Sequence, residues 1–422
     1  MAFESFAEAQ SFLLWGAFIL ALIMGAVVNK TNFCTMGAVS DMVNMGDFGR
    51  FRAWVLAIAV AMVGVVLFES FGAVDADGAF PPYRGSNFIW AENLIGGILF
   101  GIGMTLASGC GQKTLIRIGG GNIKSIVVLL IIAVIAYFMT NPFPGSDQTL
   151  YSVLFYPWMN PLSVNLANGQ DLGSLVAGPE SEVTARLIIG GILALALLFF
   201  VFKSKDFRGS FDNILGGLVV GLAVFGAWWV SSNAIISMGG GETYTLQGFA
   251  SDWAFLADSP EGKPASTAAL AAQSYTFINP MGQTLGYTAA GFSSSYLTFG
   301  VMALLGVILG SFLWAIVSKG FRVEWFANLR DFVNHVIGAV LMGFGGVLAM
   351  GCTIGQGITG LSTLALGSFI AFGGIVLGSA LTMKIQYYKL VYEDEATFFK
   401  ALVTSLVDFR LLPKGLRKLE AI

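Results

Sequence analysis

Three cysteines, Cys34, Cys110 and Cys352, are the only thiols in the 422-residue chain, and each stands nine residues after a glycine: Gly25, Gly101 and Gly343. A thiol is a weak hydrogen-bond donor with a soft, polarizable sulfur. In apolar surroundings it suits brief contact with a sulfur-like partner that then moves on. A lone cysteine in an apolar helix is usually a small hydrophobe, but three in one frame, with none elsewhere, point to a shared device. A disulfide is not expected, because there is no C-x-x-C pair and an odd count leaves one thiol over.

Polar residues flank these thiols. Asn32, Thr35, Gln112, Thr353 and Gln356 either supply hydrogen-bond donors to a passing anion or cap short helices. Lys113 and Arg117 follow Cys110 closely; they either anchor the chain at a basic membrane face or form an electropositive exit. Met24, Met36, Met104 and Met350 read as filler beside the cysteines. A single histidine, His335, argues against a His-based metal site and bis-histidine haem. Gly119-Gly120-Gly121 is not a phosphate loop, since no strand precedes it and no G-K-[ST] follows. No cofactor is expected.

The elements that position these residues must be membrane helices. Hydrophobic residues make up 56% of the chain and charged residues 11%, and the mean hydropathy is +0.77, which indicates an all-α integral membrane protein. The opening residues carry Glu4 and Glu8 and no Lys or Arg, so the first apolar run is expected to be retained rather than cleaved. A net charge of −3 without a basic domain gives nucleic acid nothing to bind. Apolar runs of spanning length fall at about 12–28, 53–71, 93–109, 125–141, 185–202, 211–230, 298–317, 333–351 and 362–383. All but three of the 22 Lys and Arg, the exceptions being Arg84, Arg186 and Lys263, then fall on one side. This places the N-terminus outside and the C-terminus in the cytoplasm.

The helices repeat. Leu94-Ile95-Gly96-Gly97 leading to Gly101 is echoed by Ile214-Leu215-Gly216-Gly217 leading to Gly221 and by Val336-Ile337-Gly338-Ala339 leading to Gly343, with Gly16 through Gly25 a looser copy. The nine-residue step lands on Cys34, Cys110, Val230 and Cys352. Each copy opens a helical hairpin, and the fifth helix is an odd linker that inverts the third and fourth copies relative to the first two, the arrangement of an inverted-repeat transporter. The expected division is 1–184 for the first membrane half, 185–209 for the linker helix and its loop, 210–390 for the inverted second half with its outer loop 231–297, and 391–422 for a cytoplasmic tail. That tail either lies along the membrane surface or docks a partner. Short Gly/Ser/Thr-rich segments at about 35–45, 111–121, 231–241 and 353–361 read as four re-entrant half-helices. Irregular backbone at membrane depth is tolerated where it lines a wet path or is buried in protein.

Asn32-Phe33-Cys34, Ala107-Ser108-Gly109-Cys110 with Leu115-Ile116-Arg117-Ile118-Gly119-Gly120-Gly121-Asn122, and Gly351-Cys352-Thr353-Ile354-Gly355 together resemble the YeeE/YedE family of sulfur-compound transporters. The resemblance implies an hourglass-shaped helical protein in a bacterial cytoplasmic (inner) membrane. It also implies thiosulfate as substrate, functional roles for Cys34, Cys110 and Cys352, and a small sulfur-carrier protein of the TusA type as partner. The long segment 231–297 and the motif Cys110-Gly111-Gln112-Lys113 depart from the family pattern.

Chemistry argues the same way. A dianion is costly to desolvate, so its path must offer donors without a fixed charge array that would trap it. The expectation is uptake by non-covalent relay, with Cys34, Cys110, Cys352, Asn32, Thr35, Gln112, Lys113, Arg117, Thr353 and Gln356 along the path. Two alternatives stay open: transport of a selenium or other sulfur species, and a membrane thiol oxidoreductase or sulfurtransferase using the same cysteines covalently. The absence of vicinal cysteines and of a base beside each thiol weighs against the enzyme. No membrane-embedded acid relay stands out, with Glu69 the one candidate.

Overall fold

The computed structural model describes residues 2–238, 241–251 and 269–420. In chain order its principal helices are α1 (Phe6–Thr31), α2 (Thr35–Ser40), α3 (Gly49–Ser70), α4 (Trp90–Leu106), α5 (Gly111–Gly119), α6 (Ile123–Thr140), α7 (Glu182–Phe202), α8 (Phe211–Ser232), α9 (Ile278–Ala289), α10 (Phe299–Val317), α11 (Leu329–Leu348), α12 (Leu366–Val391) and α13 (Phe398–Asp408). A π-helical turn covers Gly355–Gly360. Among the described residues nine helical spans are long and apolar enough to cross a membrane, at the nine places expected. Ile188, Ile192, Leu195 and Phe199 on α7 stay exposed, as on a lipid-facing helix.

The copies interlock in pairs. The first helix of copy one, α1, packs on α8 and α10 of copy three, and α8 packs back on α3. Likewise α4 of copy two packs on α11 and α12 of copy four, and α11 packs back on α6. The repeat glycines sit at these crossings. A Cβ at Gly25 would run into the carbonyl of Val307, one at Gly101 into that of Ile375, and one at Gly221 into that of Ala57. Small residues thus let the backbones approach, which is how helices associate in lipid. The short segments obey the same symmetry: α2 packs on α12, α5 on α10, α9 on α6, and the 355–360 turn on α3.

The third short helix differs from the expectation. The described residues of 231–241 hold the end of α8 and a strand at Ile235–Ser237, and the half-helix is α9, some forty residues later. Val230 lies inside α8, whose apolar sequence runs on to Ser232, so it caps nothing; Phe277 is the N-cap of α9. Strand β1 (Ala2–Phe3) pairs with Ile235–Ser237, tying the N-terminus to this insertion. Lys263 lies outside the described residues.

On this loop-rich face Arg84 and Arg186 are buried in an ion cluster. Arg84 holds Glu69 through both Nη atoms (2.5 and 2.9 Å) and donates from Nε to the Thr363 carbonyl at 2.9 Å. Arg186 joins Glu69 at 2.8 Å and Asp171 at 2.8 and 3.0 Å. Glu69 is therefore charge-compensated by two guanidinium groups. Gln170 and Asp171 continue the support. The Gly367 N–H donates to Gln170 Oε1 at 3.0 Å, and Asp171 bridges to Ala365. The cluster thereby fixes α7 and the end of the fourth short segment together.

At the opposite, basic face the described tail folds back on α12. Asp408 of α13 accepts from the Tyr388 hydroxyl at 2.6 Å and pairs with Arg417.

Candidate functional site

The nine-residue frame has two physical halves: the glycine is a helix crossing, and the cysteine starts a new helix. Two residues before each thiol the backbone turns left-handed, at Asn32 (φ 50°), Ser108 (φ 58°) and Met350 (φ 55°). Such a turn ends the long helix and re-aims the chain, at a cost on the order of 1 kcal/mol for a residue with a Cβ. Cys34 then caps α2, the Gly37 N–H donating to its Sγ at 3.5 Å. Cys110 is the N-cap of α5, and its sulfur faces the Lys113 N–H without a capping bond of full geometry. Cys352 faces the N–H groups of Ile354, Gly355 and, from the start of α9, Phe277. In all three copies the thiol addresses the amide three residues on.

Cys110 is the middle thiol, within electrostatic reach of both Cys34 and Cys352. A Cβ placed on Gly111 would lie 3.8 Å from that of Cys352. One or two residues after each thiol is a buried polar side chain. Thr35 Oγ1 and Gln112 Nε2 have no hydrogen-bond partner among the described residues. Thr353 Oγ1 likewise makes no bond of normal geometry and faces the Cys110 sulfur. The side-chain cap of α2 is Cys34, so neither Thr35 nor Gln112 serves as a cap and both are left over. Buried polar groups are nearly always paired, and leaving one unpaired costs about 1–3 kcal/mol. Gln356 differs: its Nε2 donates to the Ala349 carbonyl and its Oε1 is unpartnered among the described residues, so it ties its turn to the end of α11.

Cys34 opens onto a cavity of about 390 Å³ at the basic face, lined also by Asn32, Ser108, Arg50, Lys113 and Arg117. Lys113 Nζ donates to Asn32 Oδ1 at 3.4 Å. Arg50 is held by Asp41, with Nη2 at 2.6 Å from one carboxylate oxygen. Its other Nη lies against Gly37, where a Cβ would collide with it. Arg50 and Ser108 were not among the expected site residues. Ser108 was findable, because it occupies the repeat position of Asn32; Arg50 carried no signal beyond being basic.

A second cavity, about 470 Å³, lies at the loop-rich face and is neutral, lined by Tyr137, Asn141, Asn279, Gln283 and Thr298 among others. A narrow void of about 10 Å³ shares Phe80, Asn279 and Gln283 with it and reaches Thr276. Thr276 packs on Gly355, three residues beyond Cys352. The buried thiols therefore stand between a neutral chamber on one face and a cationic one on the other.

Comparison with known proteins gives the chain relatives. A thiosulfate transporter, TsuA, from Escherichia coli (strain K12) is 25% identical over 375 residues, covering 87% of this chain and 92% of its own. Another thiosulfate transporter TsuA, from Spirochaeta thermophila, is 24% identical over 380 residues, covering 87% and 97%. A sequence profile described as sulphur transport matches residues 30–381, a span that includes all three cysteines, and the chain belongs to that family, the YeeE/YedE sulfur-compound transporters.

Proposed function

We propose that this chain carries thiosulfate inward across the bacterial cytoplasmic membrane, along Cys352, Cys110 and Cys34 in that order and without covalent chemistry. The observation that carries the reading is the unpaired buried polar group that follows each thiol: Thr35, Gln112 and Thr353. A dianion shedding water needs donors at each step, and the soft thiols meet its terminal sulfur. The names of the two relatives support thiosulfate as the anion. The cations of the chamber at Cys34 favour exit on the basic face, which the positive-inside rule makes cytoplasmic. A sulfur-carrier protein of the TusA type would receive the anion there.

The test is labelled-thiosulfate uptake by cells carrying the wild type or Cys34→Ala, Cys110→Ala or Cys352→Ala at equal membrane abundance. Each substitution is expected to lower uptake, with Cys110→Ala the most severe. Full uptake in all three would sink the relay. A thiosulfonate or persulfide on Cys110, trapped during turnover and seen by mass spectrometry, would overturn the non-covalent passage.

A further inference from the structure

Three more buried donors come from three separate elements. Tyr83 Oη, Trp228 Nε1 and Thr276 Oγ1 have no hydrogen-bond partner among the described residues, although their side chains are 1%, 0% and 8% exposed. Trp228 lies in α8 and meets the Tyr83 ring edge-on, with centroids 6.4 Å apart. Thr276, just before α9, puts its hydroxyl against Gly355, so closely that a Cβ there would strike it. Tyr83 is within electrostatic reach of Cys352. Its place is not accidental slack. The neighbouring Arg84 is clamped by Glu69 and by the Thr363 carbonyl, which holds the 83–84 backbone rigidly over the fourth short segment.

Three neutral donors that find no acceptor among the described residues cost about 1–3 kcal/mol each, and tyrosine and tryptophan usually find a partner when buried. All three offer N–H or O–H; the void at Thr276 borders the neutral chamber, and the segment that carries Thr276 is bonded to α8 on either side of Trp228, Ser274 Oγ donating to the Val224 carbonyl and the Gln273 N–H to Ser231 Oγ. We propose that Tyr83, Trp228 and Thr276 form a subsite beside Cys352 for the oxygen end of a sulfur oxyanion, leaving the terminal sulfur to the thiol. This rests on the thiosulfate reading above and deepens it, because it makes the first constriction selective for an anion with oxygen at one end and sulfur at the other. A site built to hydrogen-bond a ligand discriminates strongly against one lacking the matching group.

The experiment measures the concentration dependence of labelled-thiosulfate uptake into proteoliposomes containing the full-length chain. Tyr83→Phe and Thr276→Val keep shape and remove one hydroxyl each. Both are expected to raise the half-saturating concentration about tenfold, the loss of one hydrogen bond to a charged group, with less change in maximal rate. Trp228→Phe is expected to act in the same direction. Thiosulfate should also protect purified Tyr83→Phe against thermal unfolding less than it protects the wild type. Unchanged half-saturation and unchanged protection in Tyr83→Phe and Thr276→Val, with wild-type uptake intact, would overturn the subsite alone. A fall only in maximal rate would overturn it too, since that marks a merely structural role. A wild type that takes up no thiosulfate would overturn both the reading and the subsite.

Discussion

Lys113 of the second repeat copy reaches across to Asn32 of the first, Nζ to Oδ1 at 3.4 Å, and so closes the cationic wall of the chamber at Cys34. The contact joins the first turn of α5 to the left-handed turn that positions Cys34. One side chain therefore serves both the field in the chamber and the seam between copies.

Replacing Lys113 with Gln keeps a donor for Asn32 but removes the charge. Uptake is expected to fall about tenfold while membrane abundance stays at the wild-type level, and Arg117→Gln should behave similarly. Because the effect is one of field, the gap between wild type and variant should narrow as ionic strength rises. Equal uptake by wild type and both variants at low salt would reduce Lys113 and Arg117 to membrane anchors.

The left-handed residues before the thiols make a second prediction. Met350 adopts φ 55° with a long side chain and Ser108 φ 58°, whereas Asn, already present at position 32, tolerates this region best. Met350→Asn is expected to stabilise the purified protein by up to about 1 kcal/mol. Ser108→Val, β-branched at the same conformation, should destabilise by more than about 1 kcal/mol. Thermal unfolding in detergent decides between these signs. A stabilising Ser108→Val would mean that the turn is not left-handed.

Helix crossings give a third. Gly101 faces the Ile375 carbonyl, and Gly191 on α7 faces open space. Gly101→Leu is expected to abolish accumulation in the membrane, since the overpacking penalty of about 1–3 kcal/mol falls on backbone that cannot yield. Gly191→Leu should accumulate normally. Immunoblots of membrane fractions compare the two, and normal levels of Gly101→Leu would remove the crossing as the reason for the repeat glycine.

The nine spans are legible in the sequence because each is an unbroken apolar run, and the glycine-to-cysteine frame marks three of the four short segments. The third is hidden. Its half-helix is displaced by an insertion, and α9 is only 12 residues long and holds Pro280 and Gly282, so neither apolar length nor the repeat step exposes it. Arg84 and Arg186 count in the sequence as outer basic residues; that they are buried depends on Glu69, Asp77 and Asp171 arriving from distant segments. Tyr83 and Trp228 are invisible for the same reason. A buried donor is significant only when its surroundings lack an acceptor, and surroundings are a property of the fold.

The same ion cluster sets the acid stability of the loop-rich face. Burial alone pushes the Asp171 carboxyl up, but hydrogen bonds from Arg186 and Ser174 outweigh it and hold the group down to about 2. Asp77 is lowered as well, Arg84 and Arg186 prevailing over partial burial. A carboxyl whose folded pKa is depressed stabilises the fold above its unfolded value, and that contribution is lost as pH falls through the folded value. The unfolding temperature in detergent is therefore expected to be insensitive to these two groups at neutral pH and to drop between about pH 4 and pH 2. For fully buried Asp171 the contribution is on the order of 2 kcal/mol. Asp171→Asn should lower the unfolding temperature at pH 7 and weaken the acid dependence, because the amide removes the most buried of the anions paired with Arg186. If Asp171→Asn shows the wild-type unfolding temperature at pH 7 and the wild-type acid transition, the Arg186 to Asp171 pair does not hold α7 to the core, and the end of the fourth short segment must be fixed by other contacts.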